Sequence, residues 1–154
     1  MWSWRKKPLS AKQNKDEETL RNLTAEYTLL RSLVDSIQRQ IELLSNALAE
    51  ISLTKATLEE LKKCEGEKDI LLHIGSGTYI GAKIKDTSKV IFGIGAGYSV
   101  DKSLDEALKK LEERSGKLQQ QLSQSQMQLS QALARLEAVQ GQISSLYAKL
   151  GGQK

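Results

Sequence analysis

Apolar residues recur at alternating spacings of three and four along two long segments of the chain. In the first they fall at Leu20, Leu23, Tyr27, Leu30, Val34, Ile37, Ile41, Leu44, Leu48 and Ile51, and Leu58 completes the series. In the second they fall at Leu104, Leu108, Leu111, Leu118, Leu122, Leu129, Ala132, Leu136, Val139, Ile143, Leu146 and Leu150. Ser115 and Ser125 take two positions of the same register. Apolar residues on this repeat align as one stripe along a helix, which is the seam of a coiled coil. Two such helices of matched length, joined by a short middle, are expected to fold back as an antiparallel hairpin with both chain ends together.

The pattern divides the chain into an N-terminal arm over 1–15, a coiled-coil helix over 16–64, a β segment over 65–100 and a second coiled-coil helix over 101–150. Asp16, Glu17 and Glu18 favour a helix start near residue 16, because carboxylates offset the positive end of the helix dipole. With Leu20 at heptad position a, Lys55 and Lys62 occupy the last a positions, and the seam weakens there. If the helices close near residues 64 and 103, Lys55 comes beside Ser115 as a polar layer. Leu20 and Leu23 then come opposite Tyr147 and Leu150. Gly116 and Gly141 each cost about 1 kcal/mol relative to Ala in a helix interior and are expected sites of bending.

Between the helices the period changes from 3.5 to 2. Ile70, Leu72 and Ile74 alternate with Leu71 and His73, Gly75-Ser76-Gly77 supplies a turn, and Thr78, Ile80, Ala82 and Ile84 continue on one face. Tyr79 and Lys83 take the other face. Asp86-Thr87-Ser88 makes the next turn. Val90, Phe92 and Ile94 then carry the alternation to Gly95-Ala96-Gly97, which reverses the chain into Tyr98 and Val100. The middle therefore reads as two consecutive β-hairpins. Isolated hairpins are marginal in water and leave open edges and apolar faces. Pairing with the same segment of other subunits, as a shared sheet or barrel, is the expected remedy.

At 154 residues the chain is of single-domain size, and its one Phe, two Trp and four Tyr leave little for a globular core. The formal net charge of +4 is mild and spread over Arg5, Lys6, Lys7 and helix lysines. Mixed-sign charge along helices is ordinarily a solvated face. Nucleic-acid binding through these cations would show itself as steeply salt-dependent affinity; it is not expected. The one cysteine, Cys64, admits no intrachain disulfide and no metal spacing. No run approaches the roughly 20 apolar residues of a membrane span, and the basic N-terminus lacks an apolar region behind it. A cytoplasmic setting without a membrane partner is the expectation.

Catalytic chemistry finds no constellation. His73 is the only histidine and alternates within a strand. Gly93-Ile94-Gly95-Ala96-Gly97 fails as a dinucleotide fingerprint, since Tyr98 stands where the third glycine belongs. It fails as a phosphate loop because Asp101 precedes Lys102-Ser103. No catalytic residue, metal ligand or cofactor is assigned. Interaction chemistry remains: Leu20, Leu23, Leu146, Tyr147 and Leu150 at the helix tips are candidate contacts for apolar segments of another protein, joined by Trp2, Trp4 and Leu9. Weak contacts of this kind gain strength when several act together.

The stretch from Ile70 to Val100, with IGSGTYIGAKI, KDTSKVI and GIGAGYSV, resembles the alpha-class subunit of archaeal prefoldin, and the likeness extends over residues 16–150 as a single domain. The resemblance implies a mainly α member of the α+β class: a long antiparallel two-helix coiled coil whose two hairpins build an oligomeric β-barrel platform. It implies a hexamer of two alpha and four beta subunits that captures unfolded proteins without ATP and passes them to a group II chaperonin. The expected partners are a prefoldin beta-class subunit, a second alpha subunit, unfolded clients and the chaperonin. For assembly it points to Ile70, Leu72, Ile74, Ile80, Ile84, Val90, Phe92 and Ile94. The alternative is a structural coiled-coil oligomerisation spacer with inert tips.

Overall fold

The computed structural model describes residues 11–64 and 66–151. In chain order these form α1 (Ala11–Lys62), β1 (Lys68–Gly75), β2 (Thr78–Ile84), β3 (Lys89–Gly95), β4 (Tyr98–Ser103) and α2 (Leu104–Gly151). The first helix thus starts at Ala11, ahead of the start expected near residue 16. The expectations for Trp2, Trp4 and the Arg5-Lys6-Lys7 run lie outside the described residues.

Helix α1 ends in a tightened turn, with Lys63 N–H donating to Glu60 O (3.2 Å) and Cys64 N–H to Leu61 O (3.1 Å). The Cys64 thiol lies 3.3 Å from the Glu60 carbonyl, and Gly66, beyond the end of the helix, has a left-handed φ of 73° that glycine adopts without a Cβ penalty. The start of α2 is set by the Ser-x-x-Glu sequence at 103–106. The Ser103 hydroxyl accepts from Glu106 N–H (3.2 Å) while the Glu106 carboxylate accepts from Ser103 N–H (3.0 Å). Two otherwise orphaned donors are satisfied reciprocally, a capping box. Strand β4 therefore runs to Ser103 and the helix begins one residue later. Both Gly116 and Gly141 lie inside α2, which continues through them without a break.

The residues fall into two compact units, one of residues up to Glu42 with those from Ser123 onward, the other Leu43–Leu122. In the second unit Ile51, Leu58, Leu104, Ala107 and Leu111 form the buried cluster, with Leu61, Val90, Phe92, Leu108 and Leu118 packed around it. Burying each such aliphatic side chain is worth about 1.5–3 kcal/mol. In the first unit Val34, Ile37 and Ala132 pack with Ile41 and Leu129, and Val139 is fully buried. Every apolar seam position read from the sequence is buried or half-buried, and Ser125 is buried in its seam position as well. The lysines that interrupt the seam are compensated by charge. Lys55 pairs with the Glu112 carboxylate, one turn before Ser115, and Lys62 with Asp105.

The middle holds two separate two-stranded antiparallel sheets, β1–β2 and β3–β4. Their backbones repeat one another twenty residues apart. In each, an isoleucine (Ile74, Ile94) is the extra residue of a bulge, and a glycine with φ of 119° or 111° (Gly75, Gly95) follows it. A two-residue turn with both φ positive then closes each hairpin, Ser76-Gly77 (47°, 72°) and Ala96-Gly97 (50°, 78°). Two positive φ values make the primed turn whose twist matches paired strands. No barrel closes within the chain's described residues.

Candidate functional sites in the hairpins and the helix tips

Cross-strand register decides which face of each hairpin is apolar. In β1–β2, Ile70 lies opposite Ala82 and Leu72 opposite Ile80, while the reverse face carries Asp69 opposite Lys83, Leu71 opposite Gly81 and His73 opposite Tyr79. In β3–β4, Phe92 lies opposite Val100 and Val90 opposite Lys102, with Ile91 opposite Asp101 behind. The alternation read from the sequence holds up to His73 and Gly93, and the bulges at Ile74 and Ile94 then interrupt it beside each turn. Leu72, Ile74, Ile80 and Ile94 keep 51–60% of their surface in water, whereas Ile70, Ile84, Val90 and Phe92 are half-buried.

The two hairpins differ in how they are held. Val90 and Phe92 of β3 pack on the helix core. Arg114 of α2 lies over the Phe92 ring, 5.3 Å from its centroid, and donates from Nη2 to the Gly93 carbonyl at 3.3 Å. A groove beside this contact is lined by Ala47, Glu50, Ile51, Thr54, Ile91 and Leu118. On β1–β2 the outward face carries the His73 and Tyr79 rings, 5.1 Å apart and tilted by 51°. The segment between the hairpins is fixed by an Asx turn in which Ser88 N–H donates to Asp86 Oδ1 at 2.7 Å. Hydrogen bonds from Ser88 hold the Asp86 carboxyl below its usual value.

In the first unit, Thr19 and Leu23 of α1 and Ala138, Gly141, Gln142, Ser145 and Leu146 of α2 line an open groove of about 510 Å³. Lys149 Nζ reaches Asp16 Oδ2 at 3.1 Å, and Arg135 reaches Glu26 at 2.6 Å. Leu20, Leu23, Leu146 and Leu150 are half-buried. Leu23 lines this groove together with Gly141, Gln142, Ser145 and Leu146. Tyr147 is 60% exposed. One residue beyond Leu146 is a rotation of about 100° around the helix, which carries its side chain off the seam.

The sequence reading missed Ala107, wholly buried among Ile51, Leu58, Leu104 and Leu111, as well as the latch at Arg114. It also placed no weight on Leu71 and Ile91, 74% and 80% exposed on the reverse faces. The signal for both was present, since each is aliphatic at a position out of phase with the core-facing alternation. Among the described residues no helix is long and apolar enough to cross a membrane, and no group of three or more His, Cys, Asp or Glu is placed to hold a metal ion.

Two helices that pair through a heptad seam, joined by two hairpins whose apolar faces are partly open, define a coiled-coil protein with a β assembly segment. Comparison with known proteins takes this further. The family description "Prefoldin subunit" matches residues 30–149, and the chain belongs to the prefoldin family. Prefoldin subunit alpha 1 of Thermococcus kodakarensis is 39% identical over 94 residues, which cover 61% of this chain and 64% of that protein. Prefoldin subunit alpha of Pyrococcus horikoshii is 39% identical over 99 residues, covering 64% and 65%. The chain thus matches a little under two thirds of the length of these curated relatives. A cryo-EM structure of filamentous PFD from Methanocaldococcus jannaschii superposes with a TM-score of 0.64 at 22% identity, over 79% of this chain and 98% of that one. At that identity the likeness is one of fold.

Proposed function

We propose that this chain is a chaperone subunit that acts by binding alone: it captures unfolded proteins without ATP in the cytoplasm and hands them to a group II chaperonin. It does so within a hexamer of two alpha and four beta subunits. Apolar surface left open in both units is the observation that carries this reading. Leu72, Ile74, Ile80 and Ile94 keep more than half their surface in water, and strands with two open edges and an apolar face seek further strands. We assign them, with Ile70, Ile84, Val90 and Phe92, to assembly with prefoldin beta-class subunits and a second alpha subunit. The groove at Leu23 and Leu146, with Leu20, Leu150 and the exposed Tyr147 near it in sequence, is assigned to clients. An apolar floor with a polar rim suits weak, unspecific seating of extended segments.

Light scattering from a chemically unfolded client, diluted into the reassembled complex without nucleotide, tests the reading. Aggregation is expected to be suppressed at near-stoichiometric complex, and deleting residues 1–23 and 146–154 is expected to abolish suppression while assembly persists. An intact oligomer that scatters like buffer would sink the chaperone reading and leave a structural spacer.

A further inference from the structure

We propose that the reverse face of β1–β2, built from Asp69, Leu71, His73, Tyr79, Gly81 and Lys83, docks on the same face of a second copy of this chain. It lies opposite the face assigned above to assembly, so on that reading it joins one assembled complex to another.

Gly81 stands in the middle of a strand, where glycine weakens pairing and leaves no side chain to pack. Nothing among the described residues calls for it. Its φ is not in the left-handed range, and a Cβ built on it meets no atom within 4 Å. What glycine supplies there is room on the outside. Asp69, Leu71, Gly81 and Lys83 frame a hollow of about 460 Å³, with Ile70 and Ala82 between them. Directly across the ladder from Gly81 stands Leu71, 74% exposed. The face thus carries a knob and a hole side by side, and both open the same way, so neither can serve the other within one chain.

Symmetry turns this into a fit. When two sheets pack face to face about a two-fold axis along the strands, midway between β1 and β2, each residue meets its own cross-strand neighbour in the other copy. Leu71 then enters the hollow over Gly81 of the second copy, and the second copy's Leu71 enters the first. By the same rule His73 meets Tyr79 and Asp69 meets Lys83. Within one chain the His73 and Tyr79 rings already lie 5.1 Å apart, so the two ring pairs gather at one end of the contact, where aromatic groups add to burial. At the other end Lys83 lies 3.9 Å from Asp69 and 3.8 Å from Glu67, beyond hydrogen-bond length, and all three side chains are more than half exposed. The pairs within each chain are kept on docking. Asp69 and Lys83 of both copies form an alternating square, in which each charge gains a second opposite neighbour.

A face with anion and cation, knob and hole, in adjacent columns is its own complement. The second hairpin is not: Ile91 lies opposite Asp101 there, and the same axis would set an aliphatic side chain on a carboxylate. The occupant is therefore another β1–β2. A patch of one hairpin falls well below the roughly 800 Å² per partner of a standard interface. Single chains are thus held weakly, and the contact strengthens where a complex presents it more than once.

Leu72→Glu, expected to block assembly through the opposite face, isolates this contact in the full chain. Sedimentation velocity of that variant is expected to pass from monomer to dimer, with no larger species, as concentration rises to about 1 mM, the range of weak contacts. Adding Gly81→Val fills the hollow with a residue that favours strands. It is expected to leave monomer at every concentration while circular dichroism is unchanged. Adding Asp69→Lys instead sets cation against cation and is expected to weaken the dimer severalfold. Asp69→Lys together with Lys83→Asp restores the alternation and is expected to restore the dimer. A Leu72→Glu chain that stays monomeric to about 1 mM would overturn the proposal, as would a dimer that survives Gly81→Val or a swapped pair that fails to recover it. Gly81→Val alone is expected to leave assembly with the partner subunit intact. Loss of that assembly would give the face to the partner subunit and overturn the proposal too. Partner assembly that persists in Leu72→Glu counts against the assembly face alone, since the Gly81→Val comparison still decides this one.

Discussion

Arg114 and Phe92 tie the second hairpin to the helices: the guanidinium lies 5.3 Å from the ring centroid and also donates to the carbonyl of the next residue, Gly93. A cation over an aromatic face is worth about 0.5–1 kcal/mol at an exposed site, and the hydrogen bond to the carbonyl adds to it. Arg114→Ala is therefore expected to lower stability by about 1–2 kcal/mol. Hydrogen exchange is expected to quicken at β3 and β4 amides and not at those of β1 and β2. Lysine at 114 is expected to recover only part, having no planar face to lay on the ring. Equal quickening in both hairpins would show that the contact does not act locally.

The turn of that hairpin carries a small, removable strain. Ala96 sits at φ 50°, a conformation that costs an L-residue with a Cβ roughly 1–2 kcal/mol. Asn accepts it more readily, and Asn-Gly is the preferred pair for this turn. Ala96→Asn is expected to raise the unfolding midpoint, by an amount equivalent to about 0.5–1 kcal/mol. Chemical denaturation of the two proteins side by side checks it.

The apolar faces of the hairpins can be tested one against the other. Leu72 and Ile80 are cross-strand neighbours on one face, and Leu71 lies on the reverse. All three are at least half exposed, so charge at any of them leaves the isolated chain folded. Leu72→Glu or Ile80→Glu is expected to block assembly with the partner subunit in size-exclusion chromatography with light scattering, and Leu71→Glu to leave it largely intact. The reverse ranking would move the interface to the face of Leu71 and Ile91.

Seam and alternation were legible because both depend on spacing alone. A residue's place in a 3.5 or 2.0 repeat fixes its face whatever it later touches, and so Val34, Ile37, Leu111 and Val139 could be named from sequence. What spacing does not fix is what a residue of ambiguous character touches. Ala107 escaped because alanine is compatible with solvent as well as core. Only the packing of Ile51, Leu58 and Leu111 around it decides the matter. Arg114 escaped because a surface arginine looks the same in sequence whether or not an aromatic ring twenty-two residues earlier comes beneath it.

The capping box at the start of α2 makes one element of stability depend on pH. Hydrogen bonds from the Ser103 backbone and hydroxyl, with the charge of Lys102, hold the Glu106 carboxyl below its ordinary value of 4.5. A carboxylate depressed in the folded state stabilises it fully above the unfolded value, and the contribution fades as pH falls through the lowered one. Glu106→Gln keeps the shape but not the charge. The stability difference between the two proteins is thus expected to be constant from neutral pH down to about 5 and to shrink below 4.5. Ser103→Ala removes the hydroxyl that accepts from Glu106 N–H and is expected to cost about 1 kcal/mol. It is also expected to weaken the acid dependence, since one of the bonds that depresses the carboxyl is gone. Urea unfolding followed by circular dichroism at pH 7, 5, 4 and 3 reads all three proteins on one scale. A Glu106→Gln difference that stayed flat to pH 3 would mean that the carboxylate contributes nothing beyond its shape.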